Sequence, residues 1–226
     1  MKLVAFGDSF VEGLIKEPKV NTPEERNEIN FVTQLQKLEN QFTSVENYGS
    51  RGYGTEAIAY SVYKRLQTCT KNCFFLVVWS SPFRSSTYNE TDDTYVVSTP
   101  KTFKNYSFHL DMHIEAISSI LKKRGIPYAF INSFSPHTHQ SKLFTAEYFE
   151  NLNYINATYK RNTLFDIIAE QYGNYNNTYN GMLEHVQFDI DPSKFIAKCK
   201  HPTPEGHCLI AQTINNSIKK IIDNHV

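Results

Sequence analysis

Two short segments at opposite ends of the chain carry residue types suited to acyl transfer. Gly7-Asp8-Ser9-Phe10 follows the apolar run Leu3 to Phe6, where a buried strand must turn sharply and present a small polar side chain. A serine hydroxyl is a weak nucleophile and needs a base within hydrogen-bond reach, so the question becomes which of eight histidines serves it. His201 is the strongest candidate. In Lys200-His201-Pro202-Thr203-Pro204-Glu205-Gly206-His207 it precedes a proline in the loop that enters the last helix, where its backbone is fixed and its ring is free. Taken alone, the same segment also reads as a plain helix start, with Thr203 the cap and Glu205 suited to the positive end of the helix dipole.

The combination carries more. Gly-Asp-Ser-x-x-x-Gly over Gly7 to Gly13, then Asn47-Tyr48-Gly49-Ser50-Arg51-Gly52-Tyr53-Gly54-Thr55, then His201-Pro202 near the C-terminus, resembles the SGNH/GDSL hydrolase family along the whole chain. The resemblance implies that Ser9 is the nucleophile and His201 the base. It also implies an oxyanion hole from the Ser9 N–H, the Gly52 N–H and an Asn side chain in a Gly-x-Asn-Asp block. Preorganised donors at a developing oxyanion contribute about 3–4 kcal/mol each. Gly52 also has a plainer reading as a turn glycine after a strand.

Two blocks depart from the family pattern. Where Gly-x-Asn-Asp is expected, the chain has Trp79-Ser80-Ser81-Pro82-Phe83-Arg84, so the Asn donor is missing and Ser80, Ser81 or Arg84 is the candidate substitute. Where the triad acid is expected, three residues before the histidine, stands Lys198. Asp189 and Asp191 are near in sequence, but a carboxylate so far upstream needs a specific loop path to reach the ring. The expectation is a Ser9–His201 dyad, or a ring held by a backbone carbonyl. The Ser-Ser-Pro third block is similar to that of SGNH-like proteins of tailed bacteriophages.

Positioning these residues requires alternating strands and helices. Leu3 to Phe6, Val45 to Tyr48, Phe74 to Trp79, Tyr128 to Phe134 and Thr163 to Ile168 read as strands. Helices are expected through Phe31, Val32, Leu35 and Leu38; through Ile58, Val62 and Leu66; near Tyr106 to Arg124; near Ala146 to Tyr159; and through Ile210, Ile214, Ile218 and Ile221. This alternation predicts an α/β fold across residues 1–226, a three-layer, doubly wound, flavodoxin-like domain with a mostly parallel five-stranded sheet. Long polar loops at 80–105, 135–145 and 170–200 belong at the carboxyl edge of that sheet.

Composition bounds the rest. Lys plus Arg equals Asp plus Glu at 23 each, which disfavours a nucleic-acid partner, and no apolar segment is long enough to span a membrane or serve as a signal peptide. The expected product is a soluble protein that stays in the cytosol where it is made, or is associated with a virion if phage-encoded. Four cysteines are too few for a disulfide scaffold, and the Cys69/Cys73 and Cys199/His201/His207/Cys208 groups lack Cys-x2-Cys zinc spacing. His109-x3-His113 with Asp111 lacks the Glu of a zinc hydrolase motif, His137-Thr138-His139 reads as a polar loop pair, and Gly49, Gly52 and Gly54 lack a following Gly-Lys-Ser/Thr. The Asn89-Glu90-Thr91 sequon means little without a secretory signal.

The expected function is a cofactor-free, metal-free serine ester hydrolase acting on an acylated carbohydrate or other small ester, acetyl being the first acyl group to consider. Tyr88, Tyr95, Tyr175 and Tyr179, in the long loops, are candidates to stack on sugar rings. The competing reading is a hydrolase fold kept as a binding or structural module with its oxyanion block lost. A flavodoxin-like ligand binder would share the architecture.

Overall fold

The computed structural model describes residues 1–13, 22–38, 41–80, 84–89, 91, 94–98, 103–133, 152–155, 163–169, 194–197 and 201–225. Strands β1 (Lys2–Gly7), β2 (Ser44–Gly49), β3 (Cys73–Trp79) and β6 (Tyr128–Asn132) form a four-stranded sheet in the order β2-β1-β3-β6. Every pairing in it is parallel. The period-two pattern of the strands divides the core into two layers. Leu3, Ala5, Phe74, Leu76, Val78, Ala129 and Ile131 face one side, packing with α3 (Phe31–Leu38), α6 (Leu164–Ala169) and α7 (Pro204–Asp223). Val4, Phe6, Phe75, Val77, Trp79, Tyr128 and Phe130 face the other, against α4 (Thr55–Leu66) and α5 (Phe103–Arg124). A strand covered on both faces is apolar throughout, which is why β3 reads Cys-Phe-Phe-Leu-Val-Val-Trp with all seven residues buried.

Three expectations about the elements are corrected. The sheet has four strands among the described residues, because Thr163 to Ile168 is not a fifth strand but the start of helix α6. Thr163 and Asp166 make the reason plain. The Thr163 Oγ1 accepts the Asp166 N–H at 2.9 Å and the Asp166 carboxylate accepts the Thr163 N–H at 3.1 Å, a reciprocal cap that starts a helix. Only Thr163 itself bridges β6, through Asn132. The helix expected over Ala146 to Tyr159 is also absent where it is described: Leu152 to Ile155 is a turn, with Asn153 at φ +54°, and Tyr154 bridges Phe130 in parallel. Finally, the stretch 80–105 is not one long loop. It holds an antiparallel hairpin of β4 (Ser85–Asn89) and β5 (Thr94–Ser98), and α5 starts at Phe103. Of the other two loops, 135–145 lies outside the described residues and 170–200 is described only at 194–197. Among the described residues, no helix is long and apolar enough to cross a membrane.

At the carboxyl edge the sheet is tied together by one side chain. Asp8, directly after β1, is fully buried. Its Oδ1 accepts the Phe10 N–H at 3.0 Å, capping the one-turn helix α1 (Ser9–Glu12). Its Oδ2 accepts the hydroxyl of Ser80, after β3, at 3.1 Å and that of Ser133, after β6, at 2.8 Å. Burial pushes the Asp8 carboxyl pKa up, opposed by the Phe10 N–H, the charge of Arg84 and the two serine hydroxyls. The rest of the edge is held from the other side by His207, in the second turn of α7. Its Nδ1 accepts the Phe31 N–H at 3.3 Å, and its ring lies parallel to that of Phe31 at 6.1 Å. Nε2 is therefore the protonated nitrogen, and it is buried without a partner among the described residues.

Two outcomes follow for stability. Asp8→Ala removes a helix cap and orphans two hydroxyls, and should cost about 2–4 kcal/mol in denaturant unfolding. Asp8→Asn keeps an acceptor for Phe10, offers amide protons to the serine oxygens and buries no charge, so it should cost less than half as much; equal losses would show that the charge itself, not the hydrogen-bond set, holds the edge. The second concerns pH. Burial, and then the neighbouring His201, push the His207 pKa down to about 3 from an ordinary 6.5. The unfolded chain therefore takes up this proton first, so the neutral buried ring contributes full stability above about pH 6.5, and that contribution is lost as the pH falls from there to about 3. His207→Phe should flatten the fall in urea midpoint across that window; an unchanged slope would contradict the assignment.

Candidate active site

Strand order puts the end of β1 at the point where the chain's connections diverge, to β2 on one side and to β3 on the other. In open α/β sheets the ligand crevice lies at that switch point. Ser9 occupies it as the first residue of α1, with its side chain 6% exposed. The turn is tight: a Cβ at Gly7 would stand 2.3 Å from the Val11 side chain, so only glycine lets α1 fold back on the strand.

His201 is brought to Ser9 by a second device. Residues 194–197 run antiparallel to 201–203, with the Ala197 N–H donating to the His201 carbonyl at 2.9 Å and the Thr203 N–H to the Phe195 carbonyl at 3.0 Å. Thr203 then caps α7 through the Gly206 N–H at 3.1 Å, with Pro204 in the first turn. The helix-start reading of this segment holds, and the same start sets where the histidine stands. His201 Nε2 stands 2.9 Å from Ser9 Oγ, across 192 residues of sequence. The Phe10 ring packs against the imidazole at 5.8 Å.

Gly52 arrives on the flank of α1. The Ser50 N–H donates to the Gly7 carbonyl at 3.1 Å, the Arg51 N–H to a Glu12 carboxylate oxygen at 2.7 Å, and the turn closes through the Tyr53 N–H onto Ser50. Gly52 sits in that turn at φ +79°, a conformation that disfavours any side chain. Neither the Ser9 nor the Gly52 N–H is bonded to another described residue. Asn47, beside this turn, has a holding role: its amide donates to the Val11 carbonyl at 2.7 Å and its Oδ1 accepts the Gly49 N–H at 2.8 Å. Gly49 touches α1 so closely that a Cβ would lie 2.4 Å from the Glu12 nitrogen.

Of the third block's three candidate donors, one is excluded. Ser80 is fully buried and its single hydroxyl proton is committed to Asp8, so it does not replace the missing Asn. Ser81 lies outside the described residues, as do Asp189, Asp191 and Lys198. Arg84 is half-buried, close enough for its charge to bear on Asp8, and its carbonyl accepts the Thr55 N–H at the start of α4. Sequence reading missed Ser133, Glu12, Asn47 and His207. Ser133 had a signal, since it follows β6 as Ser80 follows β3, a small polar residue at the same edge of a neighbouring strand.

The other candidates separate from this site. His109 Nδ1 is 3.9 Å from Glu56 and His113 Nδ1 3.5 Å from the Tyr63 hydroxyl, and no group of three His, Cys, Asp or Glu among the described residues is placed to hold a metal ion. Cys69, Cys73 and Cys208 are free thiols. His137, His139, Tyr175 and Tyr179 lie outside the described residues.

Neither the family models nor the curated proteins contain a match to this chain. Among solved structures, it is similar to a member of the lipolytic G-D-S-L family from Veillonella parvula, with 14% identity and a TM-score of 0.47, covering 95% of this chain and 96% of that one. An acetyl xylan esterase from Geobacillus stearothermophilus gives 14% identity and a TM-score of 0.47, over 96% and 94%. An alpha/beta hydrolase from the metagenome of Lake Arreo, Spain, gives 13% identity and a TM-score of 0.41, over 97% and 95%.

Proposed function

We propose that the protein is a serine ester hydrolase that removes an acyl group, acetyl first, from a carbohydrate or other small ester through an acyl-enzyme. One observation carries the reading: the 2.9 Å contact between Ser9 Oγ and His201 Nε2 at the switch point of the sheet. That distance is within the reach a base needs to take a serine proton. A fold kept only as a binding or structural module has no use for it.

The chemistry follows in two halves. His201 Nε2 takes the Ser9 proton as Oγ bonds to the ester carbonyl carbon, and the carbonyl π pair moves onto oxygen. The Ser9 and Gly52 N–H groups, unbonded to other described residues, are the donors for that oxyanion. When the tetrahedral species collapses, the C–O bond to the alcohol breaks and His201 gives its proton to the leaving oxygen. Water repeats the sequence on the acyl-enzyme and releases the acid. With Ser80 committed to Asp8, Arg84 is the described residue of the third block that remains to supply positive potential on the side of the missing Asn.

Ser9→Ala should abolish turnover of p-nitrophenyl acetate while leaving the thermal unfolding transition in place, and His201→Ala should cost nearly as much, because the two act as a unit. Unchanged turnover in Ser9→Ala would reject the assignment. Arg84→Gln should lower kcat by about tenfold to a hundredfold, with KM little changed, as expected when a contribution felt mainly by the oxyanion is removed; a change confined to KM would place Arg84 in substrate binding instead. Asp189→Asn and Asp191→Asn should each cost little. A loss of about a thousandfold or more in either would establish a displaced triad acid.

A further inference from the structure

We propose that the tyrosine-walled cleft between α4 and the β4–β5 hairpin is a glycan subsite, which seats the sugar rings of the acylated substrate next to the oxyanion turn. Its link to catalysis rests on the ester-hydrolase reading above. The cleft encloses about 480 Å³, and its walls include Tyr48, Tyr53, Tyr60, Tyr88 and Tyr95, with Lys64 at its side. That volume is within the roughly 300–1,000 Å³ of small-molecule sites. Four of the rings form one connected surface: Tyr95 lies 5.3 Å from Tyr88, 5.6 Å from Tyr60 and 6.1 Å from Tyr53, and Tyr60 lies 6.2 Å from Tyr88.

A brace for the hairpin would account for some of this, since two strands alone are marginal in water and need something to pack on. It does not account for the exposure. Tyr60, Tyr88 and Tyr48 stay 44%, 41% and 39% exposed, and they are three of the five exposed large hydrophobics among the described residues. Their positions are nonetheless fixed. Tyr48 stacks on the buried Phe6 at 5.3 Å, and the hairpin is tied to α4 where the Gly54 N–H donates to Ser86 Oγ at 2.7 Å and the Ser86 N–H to Glu56 at 2.9 Å. Exposed, preorganised aromatic rings are a binding wall rather than a core.

The lining selects the ligand class. Aromatic faces rimmed by hydroxyls, an amide and an ammonium suit a ring with an apolar C–H face and a polar edge, which is the surface of a pyranose. A fatty acyl chain would leave those polar groups unpaired. A single-stranded nucleic acid could also stack on tyrosines, but it needs cations along its phosphates. Here Arg65 is held by Glu46 at 2.7 Å, leaving Lys64 as the cation of the lining not held in an ion pair among the described residues. One wall residue, Tyr53, follows Gly52 in the turn that bonds to the end of β1, which brings one end of the cleft toward the candidate active site.

The test uses the Ser9→Ala chain, in which substrate is not turned over, titrated calorimetrically with β-linked glucose, xylose and N-acetylglucosamine hexasaccharides and with a decauridylate. At least one hexasaccharide should bind, and Tyr60→Ala and Tyr88→Ala should each weaken it by tenfold or more, whereas Tyr60→Phe, which keeps the ring face, should bind as before. Binding by none of the hexasaccharides, binding untouched by both alanine variants, or binding of decauridylate alone would overturn the proposal. Should an alanine variant melt early, Tyr60→Ser and Tyr88→Ser are read in its place by the same criterion. Acetate-ester turnover without glycan binding removes the cleft and leaves the hydrolase; glycan binding without turnover does the reverse.

Discussion

A single buried carboxylate organises the functional end of this molecule. Asp8 accepts from the backbone of α1 and from hydroxyls following β3 and β6, so three neighbouring strands end in one hydrogen-bonded knot. Burying a carboxylate is costly unless its oxygens are satisfied, and here three donors and the nearby charge of Arg84 offset part of that cost, while burial still holds the carboxyl pKa above its ordinary value. The consequence is geometric. With Asp8 fixed, the next residue, Ser9, has little freedom, and in the proposed hydrolase a serine so held needs only that its base be delivered.

Delivery comes from the far end of the chain. The Thr203 cap, the antiparallel contact of 194–197 with 201–203 and the buried His207 ring fix the start of α7 against α3, and together they set the position of His201. Gly49 and Asn47 do the same for the Gly52 turn, locking it to α1. Three segments remote in sequence therefore converge on one edge through short, specific contacts, while the two apolar layers on either side of the sheet supply the bulk of the burial.

The parallel core strands and most of the helices were legible in the sequence, because apolar periodicity and glycine, proline and capping residues report local physics directly; the pairing of Ser9 with His201 was expected from the resemblance of the end blocks to a hydrolase family. The errors had physical causes. Thr163 to Ile168 is apolar enough for a strand, but the reciprocal Thr163–Asp166 cap wins, and that Thr-x-x-Asp signal was present to be read. The hairpin within 80–105 alternates weakly and packs through tyrosines on α4, a tertiary contact that no local pattern encodes. Ser80 drew attention as an oxyanion donor for its place in the block; its role depends on a partner 72 residues away.

If His201 activates Ser9, a fluorophosphonate probe should form one adduct, mapped to Ser9 by mass spectrometry, and that adduct should disappear when His201 is replaced by alanine and the fold is retained. No adduct at Ser9, or labelling that persists undiminished in His201→Ala, would contradict that activation.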